Sequence, residues 1–369
     1  MGANSVQFVW REPHAVDGFR SGVCLHGHTM HSEECLSFLP RYLHQVPGIS
    51  QVVHYFERVR RVDFARAWWT PPLSPTSALH LEREQIERLG LEPQVSLTDH
   101  DNIHAGFALG VTESPAATPV SVEWTVPYDG TFFHLGIHNL PPQSAEEWMV
   151  RLARYTAAPR EAELPELLAG LARVPETLRV LNHPFWLEEG VVKDVHYRAL
   201  DRILRECLPW FDAFELNGTR NWRENADTIA LARAHRRPTI SGGDRHACEP
   251  SACINLTNAA SFAEFAAEIR DGESRVLFMP QYQEPMSHRV LEASRDILRT
   301  YPEYPGRERW SDRIFYRGED GAVRSAAQIW RRREPWLVAA VVSAVQFVAA
   351  SGFRPALRLV LSEAGELRP

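Results

Sequence analysis

The sequence predicts an α/β protein built on a mainly parallel sheet, open or closed into a barrel, followed by a helix-rich C-terminal extension. Three observations predict it. Short apolar runs alternate with amphipathic stretches of helical length through much of the 369 residues, and such a rhythm gives β-α repeats. Histidines and carboxylates recur at the ends of the short runs, where sheets of this kind gather their chemistry. Beyond about Pro280 the alternation stops and arginine runs begin, Arg324 and Arg331 to Arg333 among them.

The first run, Val23-Cys24-Leu25, opens onto His26-Gly27-His28-Thr29-Met30-His31-Ser32-Glu33-Glu34. Read as a strand, it places side chains two apart on one face, about 6.6 Å from each other, so His26 and His28 can address one ion. A buried structural histidine explains either one alone, so matching clusters downstream must decide. Residues 36–72 interrupt the rhythm with aromatics and arginines (Phe38, Tyr42, Tyr55, Phe56, Trp68, Trp69) and are read as an inserted loop or helical flap. A helix over 77–90 follows, with Leu79, Leu81, Ile86 and Leu89 on one side and Gly90 as its stop. A buried strand over 94–97 then delivers Thr98-Asp99-His100-Asp101.

The pattern continues with strands over 119–123, 131–137, 178–181, 213–216, 239–241 and 275–278. Helices are expected over 145–157, 161–173, 195–207, 222–234 and 262–270. The apolar stretch 336–353 is at the short end for a membrane span and contains Ser343 and Gln346, so a core or interface helix is expected.

Composition narrows the function. With 44% hydrophobic and 24% charged residues the chain has ample material for a core, and disorder is excluded over most of it. The net charge is −7 and Lys193 is the sole lysine. No extended nucleic-acid surface is expected, whereas an arginine pocket for one phosphate remains open. Five cysteines without C-x-x-C spacing indicate neither a disulfide framework nor a zinc ribbon, and reduced thiols in a cytoplasm are expected. Residues 1–11 lack the signal-peptide pattern. Neither a membrane partner nor an oligomeric state is indicated.

Metal-type side chains stand at or near most strand ends: His26 and His28, Asp99 to Asp101, Glu123, His134, His183, Glu215 and Asn217, Asp244 and His246. Scattered core histidines and helix caps explain each singly, but not their shared location. Neutral imidazoles beside carboxylates are a standard way to bind divalent cations.

With these residues in order, the sequence resembles the PHP (polymerase and histidinol phosphatase) superfamily of metal-dependent phosphoesterases. The match is carried by Cys24-Leu25-His26-Gly27-His28-Thr29 with Ser32-Glu33, Leu97-Thr98-Asp99-His100-Asp101, Val122-Glu123 and His134-Leu135-Gly136. It continues through Asn182-His183-Pro184, Phe214-Glu215-Leu216-Asn217 and Gly242-Gly243-Asp244-Arg245-His246. The resemblance implies a distorted (β/α)7 TIM-like barrel over residues 1–280, with 36–72 inserted and the metal site at the C-terminal ends of the strands. It is silent on the extension, 281–369.

It further implies two or three divalent ions of zinc, manganese or iron. One would be held by His26, His28, Glu123 and Asp244, with Glu123 bridging to a second on His134 and His183. A third would use Glu33, His100 and His246. The implied reaction is hydrolysis of a small phosphate ester by a metal-bridging hydroxide. Glu123, Asp244, His100 and His246 carry the catalysis in this reading, with Arg245 first choice for the phosphate charge and Arg220 and Arg223 second. A phosphomonoesterase or small nucleotidase fits best. A histidinol-phosphate phosphatase or an oligonucleotide exonuclease are the competing enzymes, and a non-catalytic metal-binding scaffold is the reading from another class. Cys24 and Glu33 depart from the family pattern, which has aspartate at both positions. Cys24 is read as an inward-packing side chain rather than a ligand.

Overall fold

The protein is described by a computed structural model over residues 4–37, 54, 57–58, 63–112, 118–187, 191–331 and 333–349. Most of the 36–72 insertion, including Phe38, Tyr42, Tyr55 and Phe56, lies outside them. The strands are β1 (Asn4–Phe8), β2 (Ser21–Leu25), β3 (Glu34–Cys35), β4 (Ala67–Trp69), β5 (Glu92–Ser96), β6 (Val120–Tyr128) and β7 (Thr131–Leu140). They continue as β8 (Leu178–Leu181), β9 (Ala213–Asn217), β10 (Thr239–Gly242), β11 (Cys253–Thr257), β12 (Ser274–Phe278), β13 (Ile314–Arg317) and β14 (Val323–Ser325). Helices α1 (Pro75–Glu87), α2 (His104–Thr112), α3 (Pro142–Ala157), α4 (Leu164–Ala172) and α5 (Lys193–Cys207) are followed by α6 (Trp222–His235), α7 (Phe262–Arg270), α8 (Met286–Leu298), α9 (Ala326–Ile329) and α10 (Trp336–Val348).

The expected barrel of parallel strands does not form. The strands make three sheets, ordered β1-β12-β11-β2-β5, β10-β9-β8-β7-β6 and β14-β13-β4-β3, with no closed barrel among the described residues. In the two larger sheets β1–β12, β2–β5, β8–β9 and β9–β10 pair parallel, while β11–β12, β11–β2, β6–β7 and β7–β8 pair antiparallel. Two local causes are visible. Asp129 and Gly130 both have positive φ, 46° and 79°, and form the tight turn that folds β6 back on β7 as a hairpin. Residues 253–257, which carry no clear alternation in sequence, supply β11, reached from β10 by a connection without the crossover helix a parallel neighbour needs. The larger sheets touch through the isolated bridges Gly27–Arg245 and His100–Glu123.

Their common core is built by α7. Ser261 caps its first turn by accepting from Glu264 N, and Phe262, Phe265, Ala266 and Ile269 recur at helical spacing on its buried face. They pack against Val23 and Leu25 of one sheet and Leu178, Val180, Ala213 and Ile240 of the other. Burial of each large apolar side chain contributes about 1.5–3 kcal/mol. The plug reaches Leu25, the residue before His26, so the polar side chains collect where the apolar packing stops.

The third sheet joins distant parts of the chain: β4, from the insertion, pairs with both β3 and β13. Helix α10 has no buried residue, and its Gln346 amide donates to the Leu298 carbonyl at the end of α8. It therefore forms no part of the core. Among the described residues no helix is long and apolar enough to cross a membrane.

Candidate metal centre

Donors from both larger sheets meet around Glu123, fully buried in β6. His26 Nε2 lies 2.9 Å and His28 Nε2 3.3 Å from its Oε2. Asp244 Oδ1 is 3.6 and 3.4 Å from the same two nitrogens. The other oxygen, Oε1, lies 3.3 Å from His134 Nδ1 and 3.2 Å from His183 Nε2, which are 3.4 Å from each other. A third group forms around Glu34, whose Oε2 is 3.3 Å from His100 Nε2 and 3.2 Å from His246 Nε2. His100 links the groups through Nδ1, 3.3 Å from Glu123 Oε2. Three sets here have the spacing to hold a metal ion: His26, His28 and Glu123; His100, Glu123 and His134; His28, Glu34, His100 and His246.

Outer hydrogen bonds fix which ring nitrogens face inward. His26 Nδ1 donates to Glu215 Oε2 at 2.8 Å. Ser32 gives its hydroxyl proton to Glu34 Oε1 at 2.6 Å, so it accepts from His28 Nδ1 at 3.2 Å. His246 Nδ1 donates to the Asp244 carbonyl at 2.9 Å. Imidazoles held in this way direct their Nε2 lone pairs at carboxylate oxygens. His26 Nε2, His28 Nε2 and Glu123 Oε2 are buried without a hydrogen bond among the described residues. Lone pairs aimed at a carboxylate repel it unless a proton or a cation lies between, so the donor set fits a divalent cation.

Without an ion a proton takes its place: against its burial, Glu123, Glu215 and Asp244 hold His26 well above the ordinary histidine range. Burial would raise the Glu123 carboxyl, but His26, His134 and His100 outweigh it and hold the group well below the ordinary carboxylate range. Asp244 behaves alike: the charges of His26 and His246 outweigh its burial. Burial, with repulsion from His246, pushes His28 down to about 3. His100, drawn the other way by Glu34 and Glu123 against its burial, rises to about 10. Backbone conformation points to the same place: His26, Asp101, His183 and Asp244 have φ of 61°, 51°, 25° and 48°, a region that side chains other than glycine rarely occupy and that clusters at functional sites.

Nine metal-ligand positions were expected, and eight of those residues lie in this cluster. Glu33 does not: it is exposed, and Glu34 takes the place beside His100 and His246. The cause is parity, since Ser32 and Glu34 are both buried around an outward Glu33. The strand argument for His26 and His28 also needs correction. Strand β2 ends at Leu25, and it is the left-handed turn at His26 that brings the two rings to 5.1 Å.

Arg245, expected at the phosphate, points away. Its guanidinium is buried against Glu82, with Nε 2.9 Å from Oε1, and donates to the Ala247 and His28 carbonyls. Arg220 is at the site instead, with Nη2 3.3 Å from Asp244 Oδ2 and the guanidinium 5.1 Å from the Trp186 ring. Arg223 is exposed on α6. Cys24 packs inward among apolar residues, 3.0 Å from Ser251 Oγ, and burial raises its thiol. Sequence reasoning gave no role to Glu34, Ser32 or Glu82. Nothing local in the sequence marks either glutamate.

His138 lies behind the cluster, bonded to Ser96 Oγ at 2.8 Å, and burial, then the His26 charge, depresses it to about 3. Because the unfolded chain takes up this proton near pH 6.5, the group's contribution to stability rises with pH between about 3 and 6.5. Denaturant unfolding in chelator should show His138→Gln less stable than wild type at pH 7.5. That gap should narrow by about 2 kcal/mol at pH 5. An unchanged gap would show that His138 does not titrate in this way.

No protein-family model matches the chain, and no curated protein matches it in sequence. Among solved structures, PsfC from Pseudomonas syringae aligns at 15% identity over 72% of this chain and 93% of that one, with a TM-score of 0.42. A protein assigned as a metal-dependent phosphoesterase from Bifidobacterium adolescentis aligns at 13% identity over 55% and 92%, with a TM-score of 0.31. An amidohydrolase from Chromobacterium violaceum, with bound sulfate and no metal, aligns at 13% identity over 61% and 87%, with a TM-score of 0.35. At these TM-scores the likenesses carry no argument about this chain.

Proposed function

We propose that the protein is a metal-dependent hydrolase of phosphate esters, acting on small phosphorylated substrates as a phosphomonoesterase or small nucleotidase. One observation carries the reading. The two oxygens of Glu123 serve two donor groups, one with His26, His28 and Asp244 and one with His134 and His183. A buried carboxylate shared in this way offsets the repulsion of two nearby cations. The ions, when bound, supply Lewis-acid polarisation of the phosphoryl oxygens and acidify water.

The remaining roles fall to the chain's own side chains. Glu215 orients His26, and Asn217 donates to both Glu215 Oε1 and Asp244 Oδ2, so that the two acidic groups keep their directions. Arg220, whose Nε has no hydrogen bond among the described residues, brings positive charge to Asp244 and is suited to grip an anionic oxygen. His100 and His246 are the donors with the most exposed side chains, 16% and 25%, and when no ion is held with Glu34 they are placed to hand a proton to a departing alkoxide.

The test combines metal analysis of the purified chain with phosphate release from nucleotides, sugar phosphates, histidinol phosphate and short oligonucleotides. Bound zinc, manganese or iron and chelator-sensitive release from monoesters are expected. Asp244→Asn and His183→Ala should each lower metal content. Metal without hydrolysis across the panel would favour the non-catalytic scaffold, and unchanged metal in both variants would remove the site assignment.

A further inference from the structure

We infer that the C-terminal segment is part of the metal centre: Arg307 and strand β13 position Glu34, and so set the affinity of the outer donor group, the one around Glu34, independently of the two inner groups on Glu123. This rests on the metal-binding reading proposed above. Glu34 sits on a strand of two residues, far too short to fix its own direction. Its register partner is Trp69 of the three-residue β4, which in turn pairs with Ile314 of β13. Thr70 N extends that pairing by donating to the Arg313 carbonyl at 2.9 Å. Directly opposed residues share a face, so Trp69 lies on the Glu34 side, and its ring is 6.1 Å from that of His246.

Arg307 fastens this small sheet to the ligand loop. Its Nη1 donates to the Met30 carbonyl at 2.6 Å and to Thr70 Oγ1 at 3.2 Å, while the guanidinium lies 5.6 Å from the Phe315 ring. One side chain thus ties the loop between His28 and Glu34, the end of β4 and strand β13 together. Arg313, wholly buried, holds the backbone that presents it, donating to the Arg307 and Glu308 carbonyls. The inner donors hang from the two larger sheets and their strand ends, and Glu34 alone comes from the third. Loosening the third sheet should therefore weaken one class of ion and spare the other.

The experiment titrates zinc into the chelator-stripped full-length chain, with stoichiometry from elemental analysis and affinities from a competing chelator. Glu34→Gln marks the outer class and His183→Ala the inner. Arg307→Met is expected to weaken the ion that Glu34→Gln weakens by about 10- to 100-fold, the range for residues that orient a ligand, with the ion lost in His183→Ala unchanged. Arg307→Lys should restore part of it. Arg307→Met matching wild type for both ions, while Glu34→Gln weakens one, would overturn the inference and leave the metal reading intact. Equal weakening of both ions would also overturn it, as general destabilisation. If Arg307→Met does not fold, Arg307→Lys and Thr70→Val decide: selective weakening of the same ion supports positioning, and unchanged affinity overturns it. A wild-type chain that takes up no zinc removes the metal reading, and this inference with it.

Discussion

Glu123→Gln should abolish the protein's chemistry more completely than any other single substitution. The variant keeps the size of the side chain and one carbonyl oxygen but loses the charge that five imidazoles approach, those of His26, His28, His100, His134 and His183. Ion binding at both inner groups should weaken by more than the roughly 10- to 100-fold typical of residues that only orient ligands. Hydrolysis should fall by at least about 10²–10³-fold, the usual cost of removing one preorganised electrostatic partner. Glu215→Gln provides the scale: acting through His26 Nδ1, it should lie within the 10- to 100-fold range. Metal content by elemental analysis and phosphate release together check this. If Glu123→Gln retained full metal and Glu215→Gln did not, Glu123 would not be the shared ligand.

Why Glu123 could be named from sequence while Glu34 could not is a matter of anchoring. Glu123 was named because it closes the apolar run 119–123; in the structure it lies within β6, on the face opposite Val120, Val122, Trp124 and Val126. His100, His183 and Asp244 follow apolar runs that reveal where the strands stop. Glu34 belongs to a strand of two residues whose direction is set by β4 and β13, and no local pattern reports pairing with a segment some 280 positions away. The same nonlocality hid the sheet topology. Most strands of the two larger sheets and the helices between them were legible from periodicity, but β1, β11 and the third sheet were not, and the antiparallel course of β11 depends on its pairing with β2 and β12 rather than on its own residues. The turn at Asp129-Gly130 was the one readable warning against an all-parallel sheet.

Arg245→Met should cost the protein stability rather than substrate affinity. The Arg245 side chain is 3% and that of Glu82 1% exposed, so removing the guanidinium strands a buried carboxylate without its counter-charge. Breaking one side of such a pair costs about 3–5 kcal/mol, whereas replacing both sides with apolar residues of similar volume is often close to neutral. Glu82→Leu alone should therefore be about as damaging as Arg245→Met, and the double variant markedly more stable than either, a coupling that a double-mutant cycle measures directly. Ser251 N, which donates to Glu82, loses its acceptor in the double variant, so full recovery is not expected. Denaturant unfolding of chelator-treated protein reads these values without interference from metal. A kinetic consequence follows too: Arg245 donates to the His28 carbonyl and its backbone receives His28 N, so the pair fixes the turns that carry His28, Asp244 and His246. In the double variant, hydrolysis should fall through weaker metal binding, with the Michaelis constant for a saturating-metal assay little changed. The opposite result, wild-type stability in Arg245→Met with a sharply raised Michaelis constant, would mean that the guanidinium turns from Glu82 to meet the phosphate.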